Sequence, residues 1–204
     1  MAKSFLDRVY AARSGEEQRA LYDDWSASYD QEVSENGYAT PGRTAALLAG
    51  VLTPHDAPIL DFGCGTGLSG AAMAGVGFAV IDGVDISERM LATARARGVY
   101  RDLRAIPLGA PLDIPVGAYR AITAVGVIGA GAAPLPVLDE LMSCLEPGGM
   151  LAFSFNDHTL GDPAYEARVK HHLATGTVRQ LVRDYGDHLP GRDMKSMIYI
   201  LEKK

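Results

Sequence analysis

Short apolar runs alternate with amphipathic stretches through the middle of the chain. The apolar runs predict strands at 57–62, 79–84, 100–106, 119–127 and 149–155. The stretches between them predict helices at 67–76, 87–97 and 134–146. Strands that alternate with helices favour a parallel sheet with helices on both faces, so the predicted fold class is α/β with a Rossmann-like doubly wound sheet.

The two ends of the chain depart from this alternation. The pattern predicts helices at 4–12, 15–29, 41–52 and 162–174. It then predicts two strands, 177–185 and 194–202, joined by 186–191. At 204 residues we expect one domain, 1–204, made of a helical cap (1–52), a core (53–160) and a C-terminal helix and hairpin (161–204).

A glycine-rich turn follows the first predicted strand. From Asp61 to Gly67 it reads Asp-Phe-Gly-Cys-Gly-Thr-Gly, and a small-residue helical stretch comes directly after it. Strand, glycine turn and helix form the phosphate- or nucleoside-binding corner of a doubly wound sheet. Glycine there permits a positive φ and lets a ligand touch the backbone. Asp61, at the end of the strand, can meet the amino group of a cationic ligand.

A second signal ends the next predicted strand. Residues 79–84 lead into Asp85, where a carboxylate can accept hydrogen bonds from both ribose hydroxyls of an adenosine. Ser87 then caps a helix that stops at Gly98. The pair of motifs is more specific than either alone, although residues 65–70 also fit the G-x-G-x-x-G pattern of a dinucleotide site.

The two motifs resemble those of the class I S-adenosylmethionine (SAM)-dependent methyltransferases, over roughly residues 18–156. The segment 21–30, LYDDWSASYD, also resembles the opening of the Williams–Beuren-region methyltransferase-like subgroup. The resemblance implies SAM as cofactor, S-adenosylhomocysteine (SAH) as product, N-terminal helices that cap the cofactor and an antiparallel C-terminal strand. Asp61 would place negative charge where a pyrophosphate approaches, which disfavours an NAD(P)-binding oxidoreductase.

The resemblance also assigns the cofactor contacts. Asp61 would hold the methionyl ammonium, Asp85 the ribose, and Ile86 and Met90 would flank the adenine. Many relatives carry an acid after the third strand for the adenine amino group, but 106–110 contains none. The adenine would then rest on Leu108 and Gly109. The remaining implied contacts lie in the glycine turn and after the fourth strand, at Gly63, Cys64, Gly65 and Gly126.

Four candidate site residues precede the first strand, three of them aromatic and one an arginine. Tyr22, Trp25 and Tyr29 are spaced three and four apart, so they share one helical face. That face either packs in the core or forms a lid over the sulfonium, whose charge aromatic rings attract. By resemblance we assign all three to the cofactor or substrate. Arg43 either pairs with the methionyl carboxylate or is a solvated surface residue.

No residue stands out as catalytic, because the sulfonium is already activated and the protein mainly positions the reactants. Asp157 and His158, after the fifth predicted strand, could deprotonate an acceptor, although a merely polar loop is the alternative. Tyr29 is the third candidate. The small, neutral loop at 126–134 suggests a modest apolar acceptor pocket.

Composition and charge narrow the function classes. The net charge is −6 and the chain has no long basic cluster, which argues against nucleic acid as a main partner. Cys64 and Cys144 match no metal spacing, so we expect reduced thiols and no metal. Without a secretory signal or a membrane-length apolar run, we expect a cytoplasmic protein with no membrane contact, either a monomer or a homodimer.

The sequence therefore predicts SAM-dependent methyl transfer to a nucleophile on a small-molecule acceptor. Two alternatives keep SAM: transfer to protein or RNA, and a non-catalytic SAM-binding or partner-binding module. An NAD(P)-binding oxidoreductase is the third alternative.

Overall fold

The computed structural model of the protein describes Phe5 and residues 15–107, 109–129 and 131–204. Its strands are β1 (Ile59–Phe62), β2 (Ile81–Asp85), β3 (Asp102–Ala105), β4 (Ala121–Ala124), β5 (Met150–Asn156), β6 (Val178–Leu189) and β7 (Met194–Lys203). They form one sheet in the order β3-β2-β1-β4-β5-β7-β6. β1 to β5 pair in parallel, whereas β7 pairs antiparallel with β5 and β6. The predicted doubly wound α/β fold with an antiparallel C-terminal hairpin is confirmed.

Helices precede, separate and follow these strands. Their bounds are α1 (Gly15–Trp25), α2 (Tyr29–Glu35), α3 (Thr40–Ala49), α4 (Leu68–Gly75), α5 (Glu88–Arg97), α6 (Pro136–Ser143), α7 (Asp157–Leu160) and α8 (Pro163–Ala174). The predicted helix at 4–12 lies outside the described residues, apart from Phe5.

The sheet is buried on both faces, as β1 shows. Ile59 packs in one core cluster with Leu48 of α3 and Ile81 of β2. Leu60, the next residue, packs in the other cluster with Phe153 of β5. Successive side chains of a strand point to opposite faces, so β1 contributes to both clusters. With both faces covered, the carboxyl ends of the strands remain as the place for a ligand.

The prediction of a single helix at 15–29 is wrong. The chain turns at 26–28, where the Ser26 hydroxyl donates to the backbone carbonyl of Asp23 at 2.8 Å. Serine side chains that bond to a nearby backbone compete with the helical hydrogen bonds. α2 is therefore a separate short helix.

Two further elements differ from the prediction. β6 continues to Leu189 and is followed by a 3₁₀ turn at Pro190–Arg192, so the predicted connection at 186–191 is mostly strand and turn. α7 was not predicted, and it begins where the Asn156 side chain accepts a hydrogen bond from the Thr159 N–H at 3.0 Å.

The chain between β3 and β4 forms no helix among its described residues. Ile114 is buried and anchors this segment against the sheet. The predicted strand at 119–127 is shorter in the structure because Gly126 has a φ of +70°, which turns the chain out of β4. The crossover from β3 to β4 is therefore an irregular segment.

Candidate active site

A cavity of about 870 Å³ opens at the carboxyl edge of the parallel strands. The ends of β1, β2 and β4 form its floor, α1 and α2 cover it, and the segment after β3 closes one side. Nine predicted site residues border it: Tyr22, Tyr29, Gly63, Gly65, Asp85, Ile86, Met90, Gly109 and Gly126. Leu108 lies outside the described residues. Open α/β sheets bind ligands at this edge, where the strand order reverses.

The glycine turn meets the cavity through Gly63 and Gly65, whose φ angles are +67° and +54°. A Cβ added to Gly63 would lie 2.5 Å from a methyl of Val127, so no larger residue fits there without movement. A Cβ added to Gly65 would meet no atom within 4 Å. Gly65 therefore presents bare backbone to open space in the cavity.

Asp85, at the end of β2, is held by backbone N–H groups. Its Oδ2 accepts from Gly65 N at 2.8 Å and its Oδ1 from Ser87 N at 2.9 Å. Burial raises the pKa of this carboxyl, and the backbone hydrogen bonds oppose that rise. Each carboxylate oxygen can accept more than one hydrogen bond, so Asp85 can also bind two hydroxyls of a ligand.

Asp61 does not border the cavity; it lies in the interior, 1% exposed. Its Oδ2 accepts from the hydroxyls of Ser69 (2.6 Å) and Tyr100 (2.7 Å), and its Oδ1 accepts from Thr123 (2.9 Å). Burial raises the pKa of Asp61 to about 6, although the three hydroxyl donors lower it. The carboxyl therefore joins β1, α4 and β4 beneath the glycine turn.

Two aspartates attach the cap to the edge of the sheet. Asp23 of α1 accepts from the Ser87 hydroxyl at 2.5 Å. Asp30 of α2 accepts from the Thr66 hydroxyl at 2.6 Å and pairs with Arg97 of α5. In the motif LYDDWSASYD, the aspartates that follow the two tyrosines thus hold the cap in place, while the tyrosines themselves border the cavity.

Trp25 lies in the core of the cap, 2% exposed, and does not border the cavity. Its ring stacks on Phe5 and Tyr22, with centroids 5.8 and 5.9 Å apart. It also meets Tyr29 edge to face at 4.7 Å, and its Nε1 donates to Glu32 at 2.9 Å. Trp25 thus supports the two tyrosines from behind.

Tyr29 reaches the cavity as a neutral phenol. Burial raises its pKa well above the ordinary value of 10, and the neighbouring phenol of Tyr38 adds to this. A phenol with such a pKa is protonated at neutral pH. Tyr29 can therefore donate a hydrogen bond in the cavity but is unsuited to act as a general base.

Arg43 and Cys64 lie away from the cavity wall. Arg43 joins α3 to the C-terminal hairpin: its guanidinium bonds to the carboxylate of Asp184 at 2.6 Å and to the carbonyl of Asp187 at 2.8 Å. Cys64 is 4% exposed, and burial raises the pKa of its thiol. The thiol is therefore a packed, neutral group under the turn.

Asp157 and His158 begin α7 and do not border the cavity. Both carboxylate oxygens of Asp157 are engaged, by the Tyr185 hydroxyl (2.7 Å) and by the N–H of Lys195 (2.8 Å). The His158 side chain is exposed. The geometry therefore places both candidate bases outside the cavity.

Other wall residues were missed by sequence reasoning. Gln18 lies one turn before Tyr22 on α1, and the helical spacing of four could have indicated it. Val137, Glu140 and Ser143 form a single face of α6 that also borders the cavity. Their spacing of three is a helical signal, but nothing in the sequence tells which face of α6 meets the ligand.

The sequence also gave no indication of Tyr38, which lies between α2 and α3 and whose hydroxyl approaches Gly126, just after β4. A Cβ added to Gly126 would lie 2.7 Å from the Tyr38 hydroxyl. The Gly126 N–H donates to the Ser154 hydroxyl at 2.9 Å. Glycine at this position therefore lets a tyrosine from the cap approach the backbone of the site.

The described ranges contain no group of three or more His, Cys, Asp or Glu side chains placed to hold a metal ion. Two adjacent histidines lie near the end of α8, and the second makes a structural contact: His172 Nε2 lies 2.7 Å from Asp139 Oδ1 and connects α8 to α6. Within the same ranges, no helix is long and apolar enough to cross a membrane.

Comparison with known proteins identifies the class. Residues 59–149 match the family model described as a methyltransferase domain. Together with the strand order and the placement of the glycine turn and Asp85, this match makes residues 59–149 similar to the methyltransferase domain of the class I SAM-dependent methyltransferases.

Within this class the chain is similar to human methyltransferase-like protein 27, with 38% identity over 137 residues. That match covers 66% of this chain and 56% of the relative, so the chain spans little more than half of the relative's length. It agrees with the subgroup resemblance that LYDDWSASYD indicates.

Two other similarities set the limits of this inference. The tRNA U34 carboxymethyltransferase of Mannheimia succiniciproducens is 36% identical over 107 residues, covering 48% of this chain and 33% of that protein. The solved [4+2]-cyclase SpnF has the same fold, with a TM-score of 0.59 and 19% identity, covering 79% of this chain and 81% of SpnF. A shared fold alone therefore does not define the reaction or the acceptor.

Proposed function

We propose that this chain binds SAM in the cavity and transfers its methyl group to a nucleophile on a small-molecule acceptor. The observation that carries the proposal is the position of Asp85, whose carboxylate borders the cavity beside the bare backbone of Gly65. Such a pair fits the ribose of SAM and the methionyl part attached to it. A cavity of about 870 Å³ lies within the size range of small-ligand sites.

The residues predicted to bind the cofactor then have the following roles. Asp85 binds the ribose hydroxyls, Ile86 and Met90 contact the adenine, and Gly63 and Gly65 offer backbone groups to the methionyl part. Asp61 is fully bonded inside the fold, so its role toward the methionyl ammonium is to hold the turn whose backbone makes the contact.

When bound, SAM supplies a methyl group on a positively charged sulfur, from which an acceptor lone pair displaces a neutral thioether. The chain's own contribution is to position the acceptor and to exclude water. Tyr22 and Tyr29 do this from the cap, and the neutral Tyr29 phenol can donate a hydrogen bond to the acceptor. The protein need not supply a general base when the acceptor is a neutral amine or a thiolate, whereas a hydroxyl or ammonium acceptor must also give up a proton, which solvent can take.

The enclosed site supports a small acceptor. α1 and α2 cover the cavity, and none of its described wall residues is Lys, Arg or His. A nucleic acid would bring phosphates to a chain of net charge −6. The tRNA-modifying relative keeps RNA as the second candidate, because its name gives an acceptor of that kind.

Thermal unfolding with SAM, SAH, NAD and NADP at matched concentrations tests the cofactor. A ligand that binds only the native state raises the unfolding temperature by mass action. We expect a shift with SAM and SAH alone. A shift with NAD or NADP alone would replace the proposal with an oxidoreductase. A second assay offers SAM with a labelled methyl group and a broad panel of acceptors. Binding of SAM without transfer of the label to any acceptor would favour a non-catalytic SAM-binding module.

A further inference from the structure

Part of the cavity wall lies outside the residues predicted to contact the cofactor. We call it the α6 arm, and it is lined by Ala110, Pro111, Leu112, Val137, Glu140 and Ser143. It exists because the chain between β3 and β4 forms an irregular segment where a helix could have packed against α6. Val127 and Ala133, which follow Gly126 in the chain, line the same cavity. The arm is therefore continuous with the part of the cavity that an acceptor would enter.

The charge of the α6 arm is set by one side chain. Among the described wall residues of the whole cavity, Asp85 and Glu140 are the charged ones, and both are acidic. Asp85 is held by backbone N–H groups at the ribose position. The Glu140 carboxylate bonds to no described residue, since only its main-chain carbonyl accepts, from Ser143 and Cys144.

The Lys203 ammonium makes its hydrogen bonds with main-chain carbonyls, not with the Glu140 carboxylate. The ammonium of Lys203 in β7 donates hydrogen bonds to the backbone carbonyls of Leu145 (2.5 Å) and Ser143 (3.4 Å), at the end of α6. It lies outside the cavity wall. The α6 arm therefore combines apolar wall residues with one exposed carboxylate that a cation can reach from solvent.

We propose that the acceptor is an apolar compound that carries a basic amine remote from its methylated atom, and that Glu140 binds this amine. The proposal rests on the proposed methyl transfer and names its substrate class. The nucleophilic atom lies near Gly126, the apolar body contacts Leu112 and Val137, and the ammonium pairs with Glu140. Carboxylated and phosphorylated acceptors are disfavoured, because no cationic side chain among the described wall residues would balance their charge.

Two probes with the same apolar body and opposite charge test the proposal: 4-phenylbutylamine and 4-phenylbutyrate. Their affinities are measured by ligand-observed NMR with saturating SAH present, for the wild type and for Glu140→Gln and Glu140→Lys. Glu146→Gln is the matched control, since Glu146 is an exposed glutamate just after α6 and off the cavity wall. We expect the amine to bind the wild type and the Glu146→Gln control equally. It should bind Glu140→Gln about tenfold more weakly, and Glu140→Lys should bind the carboxylate in preference to the amine.

Three results would overturn the proposal: no binding of the amine to the wild type, equal binding of the two probes, or an amine affinity that Glu140→Gln leaves unchanged. Amine binding that is seen without SAH and lost when SAH is added would also overturn it, because the arm would then belong to the adenine site. SAH calorimetry on the wild type separates this failure from failure of the proposed function. If SAH binds and the probes behave in any of these ways, only the acceptor class is wrong.

Discussion

The Thr66 hydroxyl in the glycine turn donates a hydrogen bond of 2.6 Å to Asp30 in the cap. Thr66 is 1% exposed, and its own backbone carbonyl accepts from the Arg97 guanidinium, which also pairs with Asp30. Cap, turn and α5 therefore meet at one closed set of contacts. Because the turn also borders the cavity proposed to bind SAM, the docking of the cap and the shape of that cavity are coupled.

Thr66→Val should weaken SAH binding as well as folding. The substitution keeps the side-chain shape and removes a hydrogen bond to a charged group, which is worth about 1.5–3 kcal/mol. Part of this stabilises the cap only in the bound state, so we expect a roughly threefold to tenfold loss of SAH affinity in calorimetry. Thr175→Val, at the exposed end of α8, is the control. Equal SAH affinity in both variants would show that cap docking and the cofactor site are independent.

Asp85→Asn should reduce SAH affinity at least about tenfold. The neutral amide loses charge-assisted hydrogen bonds worth roughly 1.5–3 kcal/mol each. It also loses the anion that Gly65 and Ser87 hold. Calorimetry with SAH and with its 2′-deoxy analogue separates these effects, since the preference for SAH should largely vanish in the variant. Unchanged SAH affinity would remove Asp85 from the site.

Asp85 and Asp61 show what sequence can and cannot predict here. Asp85, Gly63 and Gly65 were predictable because a turn and the end of a strand are local features. The burial of Asp61 was not, because its partner Tyr100 lies 39 residues away and contacts it only once the sheet has formed.

The remaining differences also come from tertiary contacts. For Arg43 the sequence left two alternatives, the methionyl carboxylate or solvent, but in the structure its guanidinium pairs with Asp184 on a hairpin 141 residues later in the chain. Glu140 borders the cavity, and the described residues between β3 and β4 form no helix beside it. Periodicity predicts which elements form, whereas the pairing of their faces depends on strand order.

Asp61 should make the wild type less stable as the pH rises from 4 to 6. Its folded pKa of about 6 lies above the ordinary 3.8, so the native state holds the proton more tightly. Stability from this group is present below pH 3.8 and is lost as the pH rises through 6, by about 3 kcal/mol in total. Asp61→Asn should lack this loss when urea unfolding is measured across the range. Parallel pH profiles of wild type and variant would refute the buried titration.

Titration of His188 should change the stability of the fold in the opposite direction to Asp61, over an overlapping pH range. It is 6% exposed, lies 2.8 Å from the Thr40 hydroxyl, and burial lowers its pKa to about 4. Nearby Arg43 and His158 lower the pKa further, while Asp157 raises it. A depressed pKa contributes stability above pH 6.5 that is lost as the pH falls through 4.

An NMR titration checks this prediction directly. The His188 ring signals, assigned with His188→Gln, should stay constant from pH 7.5 to 5.5 and move only near pH 4. Movement centred near 6.5 would mean that the imidazole is solvated and that its contact with Thr40 is not kept in solution.

Trp25 should report cofactor binding without a label. It is the single tryptophan of the sequence, and its ring contacts Tyr22 and Tyr29, both of which border the cavity. A ligand that orders those two phenols changes the surroundings of the indole, so SAH should shift or quench its emission with the same Kd that calorimetry gives. Trp25→Phe should keep SAH binding in calorimetry and lose the optical signal, because the ring only supports the wall. Loss of binding in Trp25→Phe with an unchanged unfolding temperature would instead mean that the indole itself contacts the cofactor.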